Sequence, residues 1–380
     1  MSQGIHIVSF DAPYPPDYGG VIDVYYKIRY LHAAGIPVHL HYFSYPGDRR
    51  SDAACRAALE PYCASIRSYR RTTGWRSAFS LKPYIVYSRR SEELVRDLCR
   101  DQLPVLFEGL HTCYCLDDAR LSGRTLLYRE SNIEHHYYRH LARAERSLWK
   151  QAFFLTESVK LRTFQKILKH ASAILTVSQS DSEYLSGCFP DLPVTCIPSF
   201  HRDNEVNSLP GTGEYVLYQG NLSVPENIAA VSWLIEQVWD PLMPELVVAG
   251  KKPADRILEL TAGHPNVRLV PDPDEDAMTG LLRNAHINLL VTFQPTGLKL
   301  KLLNALYNGR FCLVNPQMLA GTALNSLCLV ATTPREFRDR IRTLKDRSFT
   351  QDDIEAREKI LRDQYSNEVS GRLLTGVIGS

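Results

Sequence analysis

The amino-acid sequence predicts an α/β protein built from two doubly wound, parallel-sheet domains that face each other across a cleft. Short, continuous apolar runs alternate with amphipathic helical patterns, as is typical of strands buried on both faces of a parallel sheet. A polar stretch rich in turn-forming residues, 199–213, interrupts this pattern, which then begins again. With 380 residues, the chain also exceeds the roughly 250 to 300 residues at which single cores stop growing. Two domains joined by one linker are therefore expected.

The predicted elements follow the same order in both halves. The first domain, 1–198, contains six predicted strands, at Ile5 to Phe10, Val38 to Phe43, Val105 to Phe107, Thr125 to Tyr128, Ala173 to Val177 and Val194 to Ile197. The second domain, 214–360, begins with a strand and a helix from Pro225 to Val238, and five more strands follow, at Leu246 to Ala249, Val267 to Val270, Ile287 to Phe293, Phe311 to Val314 and Leu327 to Ala331. A last helix, 361–380, is expected to cross back and pack on the first domain.

Composition and charge narrow the classes of function. The formal net charge of +2 at pH 7 gives no overall attraction for a polyanion, so we expect no nucleic-acid partner. Nine cysteines, an odd number, are scattered without the spacing of a metal site, which is typical of reduced thiols in the cytoplasm. The N-terminal stretch predicts no signal peptide, and no apolar run approaches the roughly 20 residues of a transmembrane helix. We therefore expect a cytoplasmic protein without a metal.

A basic and aromatic stretch lies between Arg67 and Arg100. It carries nine arginines and lysines against three acidic residues, with five aromatic residues between them. Basic side chains with interfacial aromatics suit an anionic membrane surface. A solvated face with a few arginines lying along it is the alternative interpretation. Membrane contact, if it occurs here, is expected to be peripheral.

The stretch "PYPPDYGGVIDVYYKIRYL" places two adjacent glycines, Gly19 and Gly20, between the first strand and the first helix. Glycine lets a ligand approach the main chain closely, and the helix that follows presents unpaired N–H groups and a positive dipole end. These features indicate a site for an anion or a sugar. A tight strand-to-helix turn without a ligand is the alternative interpretation.

Polar side chains follow several predicted strands of the first domain. In doubly wound sheets, ligands bind beyond the carboxyl ends of the strands, so these side chains are expected to surround one cleft. We take His111, Glu108 and Glu134 as candidates for catalysis or for orienting the sugar hydroxyls. Glu134 could instead cap a helix. Four further strand-end side chains are candidates for binding an acceptor: Asp17, Arg129, Asn132 and His135.

In the second domain, the strand ends supply glycines, an asparagine and lysines. Lys299 and Lys301 lie in the first turn of a predicted buried helix that begins after Gly297, where cations oppose the positive end of the helix dipole. A diphosphate bound at this helix terminus would offset both lysines, and Lys252 follows a neighbouring strand. Two solvated lysines are the alternative. The remaining strand-end candidates are Gly220, Asn221 and Pro271.

Several segments resemble the large retaining glycosyltransferase family 4, whose fold is called GT-B. They are "PYPPDYGG", "RESNIEHHYY", "ILTVSQSDSEYL", "GNLSVPENIAAVSWL", "LVVAGKKP" and, most specifically, "GLKLKLLNALYNGRFCLVN". The resemblance covers nearly the whole chain. The chain departs from the family pattern in three respects: Asn304 and Thr296 stand where the family has glutamates, Ser131 stands where it has a histidine, and "GNLSVPEN" lacks the arginine and lysine that many members carry there.

The resemblance implies a transfer of sugar from a nucleotide-sugar, with UDP favoured, to a glycan or lipid-linked acceptor in bacterial surface polysaccharide or glycoconjugate synthesis. It implies front-side attack with retention, no metal and no cofactor beyond the nucleotide-sugar co-substrate. The first domain would receive the acceptor. The second would hold the nucleoside at Asn304, Pro271, Gly220 and Asn221, while the diphosphate would lie at Lys252, Lys299, Lys301 and Gly297, with Gly19 and Gly20 approaching it.

Two other functions remain open at this point. A nucleotide-sugar 2-epimerase has nearly the same fold, and fold does not determine function. Its acid and base would need a separate motif, which the sequence does not show. A non-catalytic GT-B binding protein is the other alternative, because Asn304 replaces a charged contact to the ribose.

Overall fold

The computed structural model describes residues 4–45, 52–74, 77, 80–145, 147–293 and 300–379. The chain divides into two compact units, each with its own parallel sheet. The first unit contains residues 4–202 and 365–379, and the second contains residues 203–293 and 300–364. Within the predicted linker, residues through 202 therefore lie with the first unit and the rest with the second.

The first unit contains a seven-stranded sheet in the order β3-β2-β1-β4-β5-β6-β7, with every neighbouring pair parallel. The order reverses between β1 and β4, and such a switch point is where doubly wound sheets bind ligands. The strands are β1 (Ile5–Ser9), β2 (Val38–Ser44), β3 (Ser65–Arg70), β4 (Val105–Glu108), β5 (Leu126–Arg129), β6 (Ala173–Thr176) and β7 (Val194–Cys196).

Helices cover both faces of this sheet, which explains the continuous apolar runs. Val8 and Phe107 belong to the core cluster on one face, while Ile7 and Leu106 belong to the cluster on the other. The helices are α1 (Gly19–Ala33), α2 (Asp52–Leu59), α3 (Tyr84–Tyr87), α4 (Glu92–Leu98), α5 (Glu134–Ala144), α6 (Leu148–Phe164) and α7 (Gln179–Cys188).

Strand β3 is the one strand that the sequence pattern did not predict. Its sequence, SIRSYR, is mainly polar, and most of it is only half-buried because it lies at the edge of the sheet. A search for continuous apolar runs passes over such a strand, since only interior strands are covered on both faces.

The second unit contains a six-stranded parallel sheet in the order β10-β9-β8-β11-β12-β13. Its strands are β8 (Val216–Asn221), β9 (Leu246–Lys251), β10 (Val267–Pro271), β11 (Ile287–Leu290), β12 (Phe311–Val314) and β13 (Leu329–Val330). Its helices are α8 (Pro225–Trp233), α9 (Asp255–Ala262), α10 (Glu275–Asn284), α11 (Leu300–Asn308), α12 (Pro316–Leu319), α13 (Pro334–Leu344) and α14 (Gln351–Tyr365). The order reverses again, between β8 and β11.

The last helix, α15 (Asn367–Gly379), packs against the first unit. Leu374 and Ile378 join the same apolar core as Ile28 of α1. Gly371 lies so close to Tyr30 that an added Cβ would stand 1.9 Å from Tyr30 Cε1. The return of the C-terminal helix to the first unit, which the predicted fold class includes, is therefore part of the structure. Among the residues described, no helix combines the length and apolar character needed to cross a bilayer.

Candidate functional site

The Gly-Gly pair lies at the start of α1, and its second glycine is required by packing. A Cβ at Gly20 would stand 2.5 Å from Cζ of Phe10, whose ring stacks on the His111 ring with centroids 5.0 Å apart. Gly19, the first residue of α1, and Asp17, two residues before it, are both exposed, and the N-cap residue, Tyr18, provides no side-chain cap. The glycines therefore let a strand-end aromatic pair form beneath an uncapped helix N-terminus.

His111 and Glu134 lie together at the carboxyl edge of the first sheet. His111 Nδ1 stands 3.8 Å from Glu134 Oε1, and this buried nitrogen has no hydrogen-bond partner. Burial, followed by the charges of Arg89 and Arg71, lowers the pKa of His111 well below its usual value. Burial raises the pKa of Glu134 to about 8, although Arg89 opposes this effect. At neutral pH the pair is therefore an uncharged imidazole beside a mainly protonated carboxyl group.

Glu108 has a structural environment that does not fit the predicted catalytic role. Its carboxylate is 3% exposed and accepts a 2.5 Å hydrogen bond from Lys27 Nζ, which also donates to Asp23 at 2.9 Å. Lys27 and Asp23 both belong to α1, which covers this end of β4. A carboxylate held in this way is not available to an acceptor hydroxyl. We therefore correct the predicted catalytic role of Glu108: this side chain belongs to a buried ion network.

Arg129 requires the same correction, because it is not a surface contact for an acceptor. It is 1% exposed, pairs with both carboxylate oxygens of Asp23 at 3.2 Å, and donates to the carbonyls of Thr176 and Ile197. Asp23 also accepts the backbone N–H of Phe200 at 2.7 Å. This ion network, formed by Asp23, Lys27, Glu108 and Arg129, joins α1 to the ends of four strands.

The predicted role of His135 as an acceptor contact is also corrected, and the nearby carboxyl group of Glu130 is the more notable side chain. His135 is 3% exposed, and its Nε2 lies 3.2 Å from the hydroxyl of Tyr184, so its ring faces the protein interior. Asn132 is half-buried, with its backbone N–H donated to Glu130 Oε1 at 3.0 Å. Burial raises the pKa of Glu130 well above its usual value. Glu130 directly follows β5 but was not among the predicted strand-end candidates.

The structure changes the interpretation of the basic stretch between Arg67 and Arg100. Part of it is strand β3, and the side chains of Arg71 and Arg89 are only 4% and 5% exposed. These two guanidinium groups therefore do not face a membrane. Three residues that contribute to the predicted membrane surface lie outside the described residues: Trp75, Arg76 and Phe79.

In the second unit, two strand ends adopt an unusual backbone conformation. Lys252, after β9, has φ of 51°, and Asp272, after β10, has φ of 47°. The N–H of Lys252 donates to Asp272 Oδ1 at 2.8 Å, which holds the two turns together. Residues other than glycine rarely adopt positive φ, and such strain is concentrated at binding sites. Lys252 is exposed here, as is the neighbouring Pro271 at the end of β10.

Lys301 and the end of β8 meet around one asparagine. Asn227, in the first turn of α8, donates to the carbonyl of Asn221 at 2.9 Å. Lys301 Nζ lies 3.3 Å from Asn227 Oδ1, and it stands 5.5 Å from the centre of the Tyr218 ring. Gly220 packs against Asn227, since an added Cβ would stand 3.2 Å from its side chain. The structure thus brings Lys301 to the edge where Asn221 is exposed.

Asn304 is half-buried on α11, one turn before Asn308. Its Oδ1 accepts a 2.9 Å hydrogen bond from Asn308 Nδ2, which also donates to Asp203. Two predicted diphosphate residues, Gly297 and Lys299, lie outside the described residues, as does Thr296. Within the part of the chain that is described, no cluster of three metal-ligating side chains occurs.

No family model matches the chain. A curated protein from Klebsiella pneumoniae, described as an uncharacterized 44.6 kDa protein in a cps region, is 23% identical over 338 residues, which cover 84% of this chain and 85% of that protein.

Solved structures resemble the chain over its full length. Anabaena HepE, crystallised with UDP and glucose, gives a TM-score of 0.67 at 12% identity and covers 99% of both chains. A mutant of S. aureus TarM in complex with fondaparinux, α-GlcNAc-glycerol and UDP gives 0.66 at 10% identity over 100% of both. An α-glucosyltransferase bound to UDP and DNA gives 0.59 at 10% identity, again over 100% of both. Together with the two parallel-sheet units, these similarities identify the fold of this chain as GT-B.

Proposed function

We propose that this chain is a retaining glycosyltransferase that moves a sugar from a nucleoside-diphosphate sugar to a glycan or lipid-linked acceptor. The observation that carries the proposal is the carboxyl edge of the second sheet, where Lys252 and Lys301 lie beside the neighbouring strands β9 and β8 of a GT-B fold. HepE, TarM and the α-glucosyltransferase were each crystallised with UDP, which makes UDP the favoured donor nucleotide. The cps region of the Klebsiella relative supports a role in bacterial surface polysaccharide synthesis.

In this proposal, the second unit stabilises the departing nucleotide. Negative charge develops on the diphosphate as the glycosidic bond breaks, and preorganised cations and N–H groups stabilise that charge. Lys252 and Lys301 would provide cations, and Lys299 and Gly297, which lie outside the described residues, are the further predicted contacts of the diphosphate. The nucleoside would lie against the remaining strand-end candidates and α11: Gly220, Asn221, Pro271 and Asn304.

The first unit receives the acceptor at the carboxyl edge of its sheet. His111 and Glu134, both uncharged at neutral pH, are suited to hydrogen bonding with sugar hydroxyls. Such a pair orients a hydroxyl without removing its proton. This agrees with front-side attack, in which the departing phosphate oxygen accepts the proton, as the family resemblance implies. Asp17 and Asn132 complete the proposed acceptor contacts.

Calorimetric titration with UDP, GDP and ADP tests the donor site. Removing one charged hydrogen bond costs about 1.5 to 3 kcal/mol, so Lys252→Ala and Lys301→Ala should each weaken binding of the preferred nucleotide roughly 10- to 100-fold. Lys345→Ala, at an exposed position of the same unit, is the matched control and should bind like the wild type. Equal affinities in all four proteins would contradict this diphosphate site.

Product analysis separates the transferase from its alternatives. A nucleotide-sugar 2-epimerase converts the donor in the absence of any acceptor, with no release of free nucleotide. A transferase releases nucleotide and does so faster when its acceptor is added. A non-catalytic binding protein binds a nucleotide-sugar but leaves it intact under both conditions.

We also place the protein in the cytoplasm, with peripheral contact to anionic membranes through α6. This helix exposes an apolar stripe, with Leu148 78% and Trp149 88% exposed, that continues through Leu155 and Val159. Exposed cations occur on α6 and on the segments next to it in sequence: Arg139, Arg143, Lys150, Arg162 and Lys166. An apolar helix face with basic neighbours suits the surface of a bilayer that contains anionic lipids. This surface replaces the one predicted between Arg67 and Arg100.

Vesicle flotation tests the membrane surface. Leu148→Ser with Trp149→Ser should reduce binding to vesicles of phosphatidylglycerol and phosphatidylcholine, and raising the salt concentration should weaken binding of the wild type. Leu242→Ser, which changes a leucine 93% exposed in the second unit, is the matched control. If the wild type stays with the soluble fraction at low salt, α6 is not a membrane-binding surface.

A further inference from the structure

Two buried arginines in the first unit have no carboxylate partner. Arg71 directly follows β3 and Arg89 follows α3, and the two side chains are 4% and 5% exposed. Over the ranges that the structure describes, no carboxylate oxygen lies within 4.0 Å of either guanidinium group. Buried cations in proteins are ordinarily paired, because burying a lone charge is costly.

Within the described part of the chain, Arg71 and Arg89 together donate three side-chain hydrogen bonds. A guanidinium group has five N–H donors. Arg71 donates to Ser88 Oγ at 2.9 Å and stacks 3.9 Å from the centre of the Tyr45 ring, while its buried Nε has no acceptor. Among the described residues, Arg89 donates to two carbonyls, of Phe10 at 2.8 Å and of Ile85 at 2.6 Å. A buried donor without an acceptor is the feature that a bound ligand would explain.

The surrounding groups do not neutralise this positive charge. His111 and Glu134, which interact electrostatically with Arg89, are both uncharged at neutral pH. Burial lowers the pKa of Arg71 and of Arg89 to about 10, so both remain protonated. Asp11 provides one nearby negative charge, but its carboxylate accepts hydrogen bonds from the Tyr18 hydroxyl and the Ala12 N–H. One positive charge of the pair is therefore left without compensation.

The position of Arg71 and Arg89 in the fold also suits a binding site. Arg71 comes directly after β3, Phe10 directly after β1, and His111 shortly after β4, so all three lie at the carboxyl edge of the first sheet. Ligands of doubly wound sheets bind at this edge. Tyr45, 42% exposed, presents an aromatic ring beside Arg71.

We propose that Arg71 and Arg89 bind an oxyanion, a carboxylate or a phosphate, carried by the acceptor. The acceptor class is then an acidic glycan or a phosphate-bearing carrier, and this inference rests on the proposed function. The guanidinium fork matches either anion with two parallel hydrogen bonds. The donor diphosphate is assigned to lysines of the second unit, which leaves this pair for the other substrate.

Thermal unfolding of the full chain with inorganic phosphate or sodium glucuronate, at fixed ionic strength, tests the site. A ligand that binds the folded state raises the melting temperature. Both anions should stabilise the wild type more than chloride does, and glucose should not. Arg71→Gln and Arg89→Gln should each lose this gain, while Arg70→Gln, which changes the exposed neighbour on β3, should keep it.

If Arg71→Gln does not fold, Arg71→Lys keeps the charge but removes the fork, and should weaken the apparent affinity for phosphate at least tenfold. An equal response to phosphate in wild type and Arg71 variants, or no response in the wild type, would overturn the proposal.

Saturating UDP distinguishes the two sources of the anion. If phosphate stabilises the UDP-bound protein by the same increment as the free protein, the site is separate from the donor diphosphate, as expected. Loss of the phosphate effect in the presence of UDP would assign the arginines to the donor and overturn the acceptor inference. UDP affinity should be unchanged in Arg71→Gln. A wild type that binds no nucleotide but still shows the arginine-dependent phosphate response would contradict the proposed function and leave the anion site intact.

Discussion

The ion network beneath α1 provides a quantitative test of how the first unit is held together. Asp23 accepts four hydrogen bonds, from Lys27, from two nitrogens of Arg129 and from the backbone of Phe200. In Asp23→Asn, one carboxylate oxygen becomes an NH₂ group that faces donors, and two buried cations are left with one carboxylate, Glu108. We therefore expect a large loss of stability from an almost isosteric change.

The size of this stability loss follows from the pKa of Asp23 and from the usual cost of breaking a buried ion pair. The cations Arg129 and Lys27 lower the pKa of Asp23 from 3.8 to about 2 despite its burial. Since one pKa unit is worth 1.36 kcal/mol, the charged form is favoured by about 2 kcal/mol. Breaking a buried ion pair by removing one partner typically costs about 3 to 5 kcal/mol. The expected loss is thus about 2 to 5 kcal/mol, compared with a total stability of roughly 5 to 15 kcal/mol for a domain.

Hydrogen exchange measured by mass spectrometry is the appropriate assay, because it resolves the two units. Amides of β1, β4 and β5 should exchange roughly 30-fold faster or more in Asp23→Asn, since each 1.4 kcal/mol is a factor of ten. Strands β8 and β9 of the second unit are the internal control, and Asp191→Asn, at an exposed position, is the matched variant. If Asp23→Asn exchanges no faster than Asp191→Asn in β1 and β4, the ion network does not stabilise this unit.

Two further predictions concern packing and pH. Gly371→Ala should lower the melting temperature by several degrees, because its Cβ would overlap the Tyr30 ring, whereas Gly376→Ala on the same helix meets no atom within 4 Å and should be neutral or stabilising. Equal melting temperatures for the two variants would show that α15 is not packed as described. Burial lowers the pKa of His41 well below 6.5, so its contribution to stability is complete above pH 6.5 and is lost as the pH falls. The unfolding free energy of the wild type should therefore fall more steeply between pH 7 and 5 than that of His41→Asn, and parallel pH profiles would refute this.

The fold could be predicted from the sequence because its main signal is local. Interior parallel strands are covered on both faces, so each one reads as a continuous apolar run, and the alternation with helices then leaves few topologies. The edge strand Ser65–Arg70 was missed for the same reason, since an edge position leaves polar residues half-exposed. The placement of side chains at strand ends also followed from sequence, and it brought His111 close to Glu134.

What each strand-end side chain contacts was decided only by the tertiary structure. Glu108 and Arg129 end their strands as predicted, but their partners Lys27 and Asp23 lie 81 and 106 residues away along the chain. The sequence carries no local signal for such pairs, and a strand end alone does not fix whether its side chain faces the solvent or a covering helix. Burial then changes the chemistry of the same residue type.

The arginines of the first unit illustrate this difference most clearly. In the sequence, Arg70 and Arg71 are adjacent cations in a basic stretch, and both suit a membrane surface. In the structure, Arg70 is exposed while Arg71 is buried, because successive side chains of a strand point to opposite sides. The sequence thus determined the two sheets and the side chains that lie at the carboxyl ends of their strands. The tertiary structure decided which charges are in water and which are buried, because desolvation depends on every chain segment that covers a side chain.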